Sequence, residues 1–201
     1  MWVVSTVNPA TVHGLRTRSA CRRRRASRSG ALRLARHVNG ALVAVAWAAA
    51  HPETVRRLVL YGGWVSGADM SPPTAKEHIL GLVESHWGLG SDVLTNIFAP
   101  DADASMRKQF GRYQRACSTA ATARALLAMS YELNVSDLLP HVRSPTLVVH
   151  RAHDRAAPVG QAAKLADGIS GAQFVVLPGS SHLPYAGDTR ALVTTVRRGP
   201  R

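Results

Sequence analysis

Two residues late in the chain are of types that work as a pair. Asp154 lies in "VVHRAHDRAAP", just after an apolar run and before a Pro-containing turn. His182 lies 28 residues later in "VVLPGSSHLPYAGD", in a Gly/Ser loop between two prolines. A carboxylate that accepts from one imidazole nitrogen fixes the ring's tautomer and stabilises its protonated form, leaving the other nitrogen to act as a base. Alone, Asp154 reads as a turn former and His182 as a loop histidine. At the ends of two neighbouring strands they read as an acid–base site.

Such strands need elements that hold them in parallel. "ALRLARHV" is a short apolar run with strand character, "NGALVAVAWAAAHPE" a helix rich in small residues and ended by Pro52, and "VRRLVLYGG" a strand stopped by two glycines. Strand, helix and strand at this spacing make a βαβ unit. Residues 64–140 carry no strand signal. They read as helices over "SPPTAKEHILGLVESHWGLG", "SDVLTNIFAP", "DASMRKQFGRYQRACS" and "TAATARALLAMSYELN". The alternation then resumes with strand "SPTLVVHRAHD", helix "PVGQAAKLADGI", strand "AQFVVLPGSSH" and helix "DTRALVTTVRR". The pattern predicts an α/β fold, a parallel sheet with flanking helices, interrupted by a helical insertion.

Composition narrows the function classes. A hydrophobic fraction of 46% suffices for a core. The net charge of +13 is unevenly placed: residues 1–36 hold nine arginines and no carboxylate, and the first acidic residue is Glu53. Basicity therefore belongs mostly to residues 1–31, which read as a disordered tail. That tail would allow non-specific phosphate contact, but no base-reading motif or aromatic platform accompanies it. Its composition also fits an organellar transit peptide. Cys21 and Cys117 form neither a metal spacing nor a disulfide framework, so a reducing, cytoplasmic setting with no metal and no cofactor is expected. The longest apolar run, Ala41–Ala50, is too short to span a membrane.

The motifs resemble the α/β-hydrolase fold family, in particular bacterial serine-hydrolase-like domains akin to those linked to adenylate cyclase or LuxR-type regulators. "HPETVRRLVLYGG" is similar to the segment that follows the family's G-x-S-x-G nucleophile elbow, "LLPHVRSPTLVVHRAHDRAAP" to the segment bearing its acid, and "LPGSSHLPYAGD" to the segment bearing its histidine. "ESHWGLG" and "FGRYQRACS" resemble its helical lid. The resemblance implies the C-terminal portion of that fold over residues 32–201, with residues 64–140 as the lid. It places the catalytic acid on Asp154, the base on His182 and a possible oxyanion backbone N–H on Asn39. Trp87, with Phe98, Phe110 and Tyr113, would line a pocket for a small apolar or acyl ligand.

Two departures accompany the resemblance. The elbow falls on "RHVNGA", so Val38 holds the nucleophile position and Arg36 that of the first glycine. Valine has no proton to give up and cannot form an acyl-enzyme. The family's strands before the elbow also have no counterpart: 37 residues precede Val38, and the His13–Gly14 pair in "TVHGL" is too close to Val38 for a βαβ unit. A sheet without those strands should leave an edge uncovered. The abrupt arginine-rich stretch is what an out-of-frame reading of GC-rich coding DNA would give. The expectation is an inactive or strongly impaired hydrolase relative. Alternatives are a non-catalytic ligand-binding or regulatory module, and a weak hydrolase in which His182 and Asp154 activate water.

Overall fold

The computed structural model describes residues 32–37 and 39–200, with side chains from Asn39 onward. The basic stretch 1–31 and Val38 lie outside the described residues. Among the described residues four strands and seven α-helices follow in order: β1 Leu32–His37, α1 Asn39–Ala50, β2 Val55–Tyr61, α2 Pro73–Ser85, α3 Trp87–Phe98, α4 Ala104–Cys117, α5 Ala120–Glu132, β3 Thr146–Arg151, α6 Val159–Gly168, β4 Gln173–Leu177 and α7 Thr189–Arg198. The sheet runs β1-β2-β3-β4, and every neighbouring pair is parallel.

Burial explains the composition of the strands. Parallel strands covered on both faces become continuous apolar runs, and every residue of β3 is buried. In β2 the side chains alternate between two cores. Leu58 and Leu60 join Ala41, Leu42 and Val45 of α1 and Leu165 of α6 on one face. Val59 and Tyr61 join Leu147, Val149 and Leu192 of α7 on the other. The small side chains Ala41, Ala44 and Ala48 of α1 are all fully buried, which lets that helix approach the sheet closely. At the far edge β4 turns Phe174 and Val176 outward.

Helices α2–α5 form the segment between β2 and β3, with α2 against α3 and α5, and α3 against α4. Its two ends are zipped together. Gly67 N–H donates to Leu133 O (2.8 Å), Val135 N–H donates to Val65 O (3.0 Å), and Ser66 and Asn134 form an antiparallel bridge. Asp103 and Thr119 cap α4 and α5 through their side-chain oxygens, as Asp188 caps α7.

One boundary differs from the sequence expectation. The first helix was expected to run to Gly90, with the break before Ser91. The chain instead breaks at His86, whose Nδ1 accepts from Leu89 N–H and caps α3. Gly90 lies inside α3 because it meets Val83 of α2: a Cβ there would come within 2.8 Å of Val83 Cα. The glycine reads as a turn in sequence and serves as a helix–helix contact in space. No helix among the described residues is long and apolar enough to cross a membrane.

Candidate active site

Parallel register brings the relevant strand ends level. Arg151, the last residue of β3, pairs with Leu177, the last of β4. Asp154 follows three residues beyond β3, and His182 five beyond β4. Their side chains meet: His182 Nδ1 lies 2.7 Å from Asp154 Oδ2, and both side chains are 1% exposed. The other carboxylate oxygen, Oδ1, accepts from Ala156 N–H (2.8 Å) and Ala157 N–H (3.2 Å). Asp154 is thus held by its own turn and presents one oxygen to the ring. With Nδ1–H donating to that oxygen, the lone pair sits on Nε2, the edge that can take a proton from a substrate or water.

A second histidine stands behind the pair. His150, fully buried in β3, has Nε2 2.8 Å from Ala157 O and 3.5 Å from Asp154 Oδ2. Burial pushes its pKa below the ordinary 6.5, against the opposing pull of Asp154 and the Ala157 carbonyl, while His182 adds to the lowering. A neutral ring donating to Ala157 O makes no ion pair with Asp154, so the 3.5 Å approach is a contact between a carboxylate and an uncharged imidazole. Asp154 therefore serves His182.

Three features around His182 have weak sequence signals. Gly62, just past β2, has φ +63 and faces the ring, with room only for a hydrogen. The "YGG" stop signal marks a strand end but not this approach. Phe98, at the end of α3, packs its ring 5.9 Å from the imidazole, and its carbonyl accepts from His182 N–H (2.8 Å). Asp101 Oδ2 accepts from Ser180 N–H (2.7 Å) and Ser181 N–H (3.0 Å). The helical segment therefore grips the histidine loop directly.

The remaining candidates fall as follows. Asn39 opens α1, and its side chain meets Ser130 of α5, with Nδ2 donating to Oγ at 2.8 Å and Oδ1 3.0 Å from Oγ. Trp87 opens α3, and its indole N–H donates to Ser118 O (2.9 Å), which seats it among the helices of the segment. Phe110 stacks on Tyr113 of the same helix, ring centroids 6.2 Å apart. The structure thus joins Asp154 to His182, and ties Asn39 to the helical segment and Trp87 within it. Among the described residues no three His, Cys, Asp or Glu side chains group so as to hold a metal ion.

A parallel α/β sheet with an acid–histidine pair at its strand ends defines a hydrolase-like architecture. The chain belongs to the alpha/beta hydrolase fold family, whose sequence profile matches residues 39–189. It is similar to pyrrolizixenacetamide deacetylase of Xenorhabdus hominickii, 26% identical over 164 residues that cover 79% of this chain and 61% of that protein. Among solved structures it is similar to a thermophilic esterase from Thermogutta terrifontis, with TM-score 0.64 and 23% identity over 84% of this chain and 64% of that one. It is also similar to a bromoperoxidase from Bacillus anthracis, with TM-score 0.73 and 14% identity over 83% and 67%. At these identities the structural likeness is one of fold. The chain spans about three fifths of the length of the curated relative it matches.

Proposed function

We propose that this chain is a relative of ester- and acyl-cleaving serine hydrolases that keeps the acid–base half of the site and lacks the covalent half. The observation that carries this reading is the buried 2.7 Å contact between His182 and Asp154, set beside a valine at position 38. In sequence, Val38 stands between the last residue of β1 and the first of α1, the strand-to-helix junction where the family carries its serine. Without a hydroxyl there, no acyl-enzyme forms on that residue.

The intact pair favours a second, residual activity. His182 Nε2 can act as a general base toward water, a contribution of about 10²–10⁴-fold at most. The compound class follows from the named relatives, a deacetylase and an esterase: small acyl esters or amides. Helices α2–α5, which touch the histidine loop through Phe98 and Asp101, would act as a lid over such a ligand.

The test is fluorophosphonate labelling together with turnover of p-nitrophenyl acetate. The native chain should show no labelling and slow turnover that falls further in His182→Ala. The paired change Arg36→Gly and Val38→Ser should introduce labelling at position 38. Strong labelling of the native chain at any serine would overturn the proposal. Unchanged turnover in His182→Ala would exclude the water-activating activity.

A further inference from the structure

Arg151 closes the buried strand β3 and is 1% exposed, yet none of the ion pairs among the described residues includes it. Removing a guanidinium from water is costly unless its donors are satisfied. Here they are met almost wholly by backbone. Nη1 donates to Pro178 O (2.9 Å), Nη2 to Ala186 O (3.3 Å) and Asp188 O (2.9 Å), and Nε to the Tyr61 hydroxyl (3.3 Å). Tyr61 in turn donates to Ser181 O (3.2 Å). Burial pushes the Tyr61 phenol up from 10, so the donating proton stays in place at neutral pH.

Every one of those backbone acceptors lies in the loop between β4 and α7, on both sides of His182. The amides of the same loop face the other way: those of residues 180 and 181 bond Asp101, and those of 182 and 183 bond Phe98 O. The loop is therefore held from two sides, its carbonyls by a cation on the sheet and its N–H groups by the end of α3 and the turn after it. Gly179 O also accepts from His153 N–H (3.1 Å), one residue before Asp154. A planar fork of fixed donors suits this arrangement, and a lysine could reach only part of it.

We propose that Arg151 is a positioning residue for His182: acting through the carbonyls of loop 178–188 and through Tyr61, it sets the imidazole against Asp154. An apolar side chain would fill the same space but would leave these loop carbonyls without a donor. The role concerns the His182–Asp154 contact alone and stands whether or not the chain turns over an ester.

The experiment reads the low-field proton NMR signal of His182 Nδ1–H in the full chain, assigned by its disappearance in His182→Gln. In Arg151→Met the signal should broaden or vanish while the backbone amides of β3 and β4 keep their shifts. Arg151→Lys should retain a weakened signal. Leu58→Ala, a core change level with the first residue of β3 and so at the opposite end of the strands from Arg151, should lose stability and keep the signal. An unchanged signal in folded Arg151→Met, or equal loss in Leu58→Ala, would overturn the proposal. If Arg151→Met does not fold, Tyr61→Phe decides. It removes one hydroxyl from the same network and should speed solvent exchange of the His182 proton, whereas an unaltered exchange rate refutes the role.

Discussion

The imidazole of His182 stands directly on Gly62: a Cβ at that glycine would lie 2.9 Å from Cε1 and 3.2 Å from Nδ1. Gly62 also has φ +63, a conformation side chains disfavour. Gly62→Ala therefore meets two penalties, backbone strain and displacement of a ring already fixed by Asp154. Gly171 separates them, since it has φ +70 but nothing within 4 Å of its missing Cβ. Gly171→Ala should lose about 1 kcal/mol from strain alone. Gly62→Ala should lose about 1–3 kcal/mol and alone should disturb the His182 Nδ1–H signal. Urea unfolding and proton NMR of both variants check this. Equal effects on the two readouts would show that the ring tolerates the extra carbon.

His150 links stability to pH. Its folded-state pKa lies below the ordinary 6.5, chiefly through burial. Above that value the ring is neutral in both folded and unfolded chains and has no effect. Below it the unfolded chain takes up a proton that the folded chain excludes, so stability falls as pH drops. The slope from this one group is at most about 1.4 kcal/mol per pH unit. His150→Gln, which keeps an N–H for Ala157 O, should flatten the fall between about pH 7 and pH 5 relative to the native chain. Urea midpoints across that range give the comparison. Parallel curves would assign the acid sensitivity elsewhere.

The two residues of the pair were readable from sequence because each follows a run of Val and Leu that can only be a buried strand, and parallel strands gather their C-terminal ends. The strands were readable for the same reason: β2 over residues 58–61 and β3 over residues 147–149 are apolar on both faces, and Pro and Gly punctuate them. What surrounds the pair was not readable. Arg151 looks like an ordinary polar strand end, and its role emerges only when loop 178–188 folds back over it. Its one sequence signal was a cation attached without a break to "TLVVH". Asp101 lies 80 residues from Ser181, a separation at which local pattern carries no information. The break at His86 was hidden because Gly90 gives the stronger turn signal, although its lack of a side chain is used against Val83.

Asn39 and Ser130 join the start of α1 to the helical segment. The Ser130 hydroxyl lies 2.8 Å from Asn39 Nδ2 and 2.8 Å from Leu126 O, so it can accept from one while donating to the other. Ser130→Ala and Asn39→Ala should each cost about 1 kcal/mol, the worth of a net hydrogen bond. The double variant should cost less than the two added, with a coupling of about 0.5 kcal/mol or more, as for contacting residues. Urea unfolding of all four chains closes the cycle. Additive losses would show that this contact does not anchor α5 to α1.

Two glycines in neighbouring helices predict opposite signs for the same change. Gly81, in α2, is exposed and has nothing within 4 Å of a built Cβ. Gly81→Ala should stabilise the chain by about 0.5–1 kcal/mol, the helix-propensity gain that alanine brings. Gly90, in α3, would gain the same propensity, but its Cβ would come within 2.8 Å of Val83 Cα and 3.3 Å of Val83 N, backbone that cannot swing aside. Parting α2 from α3 would also disturb Val83, which is fully buried. Gly90→Ala should therefore destabilise by about 1–3 kcal/mol net, overpacking outweighing propensity. Thermal melts of the two variants side by side test the packing of the segment. A gain in both would mean that α2 and α3 are not in close contact at Gly90.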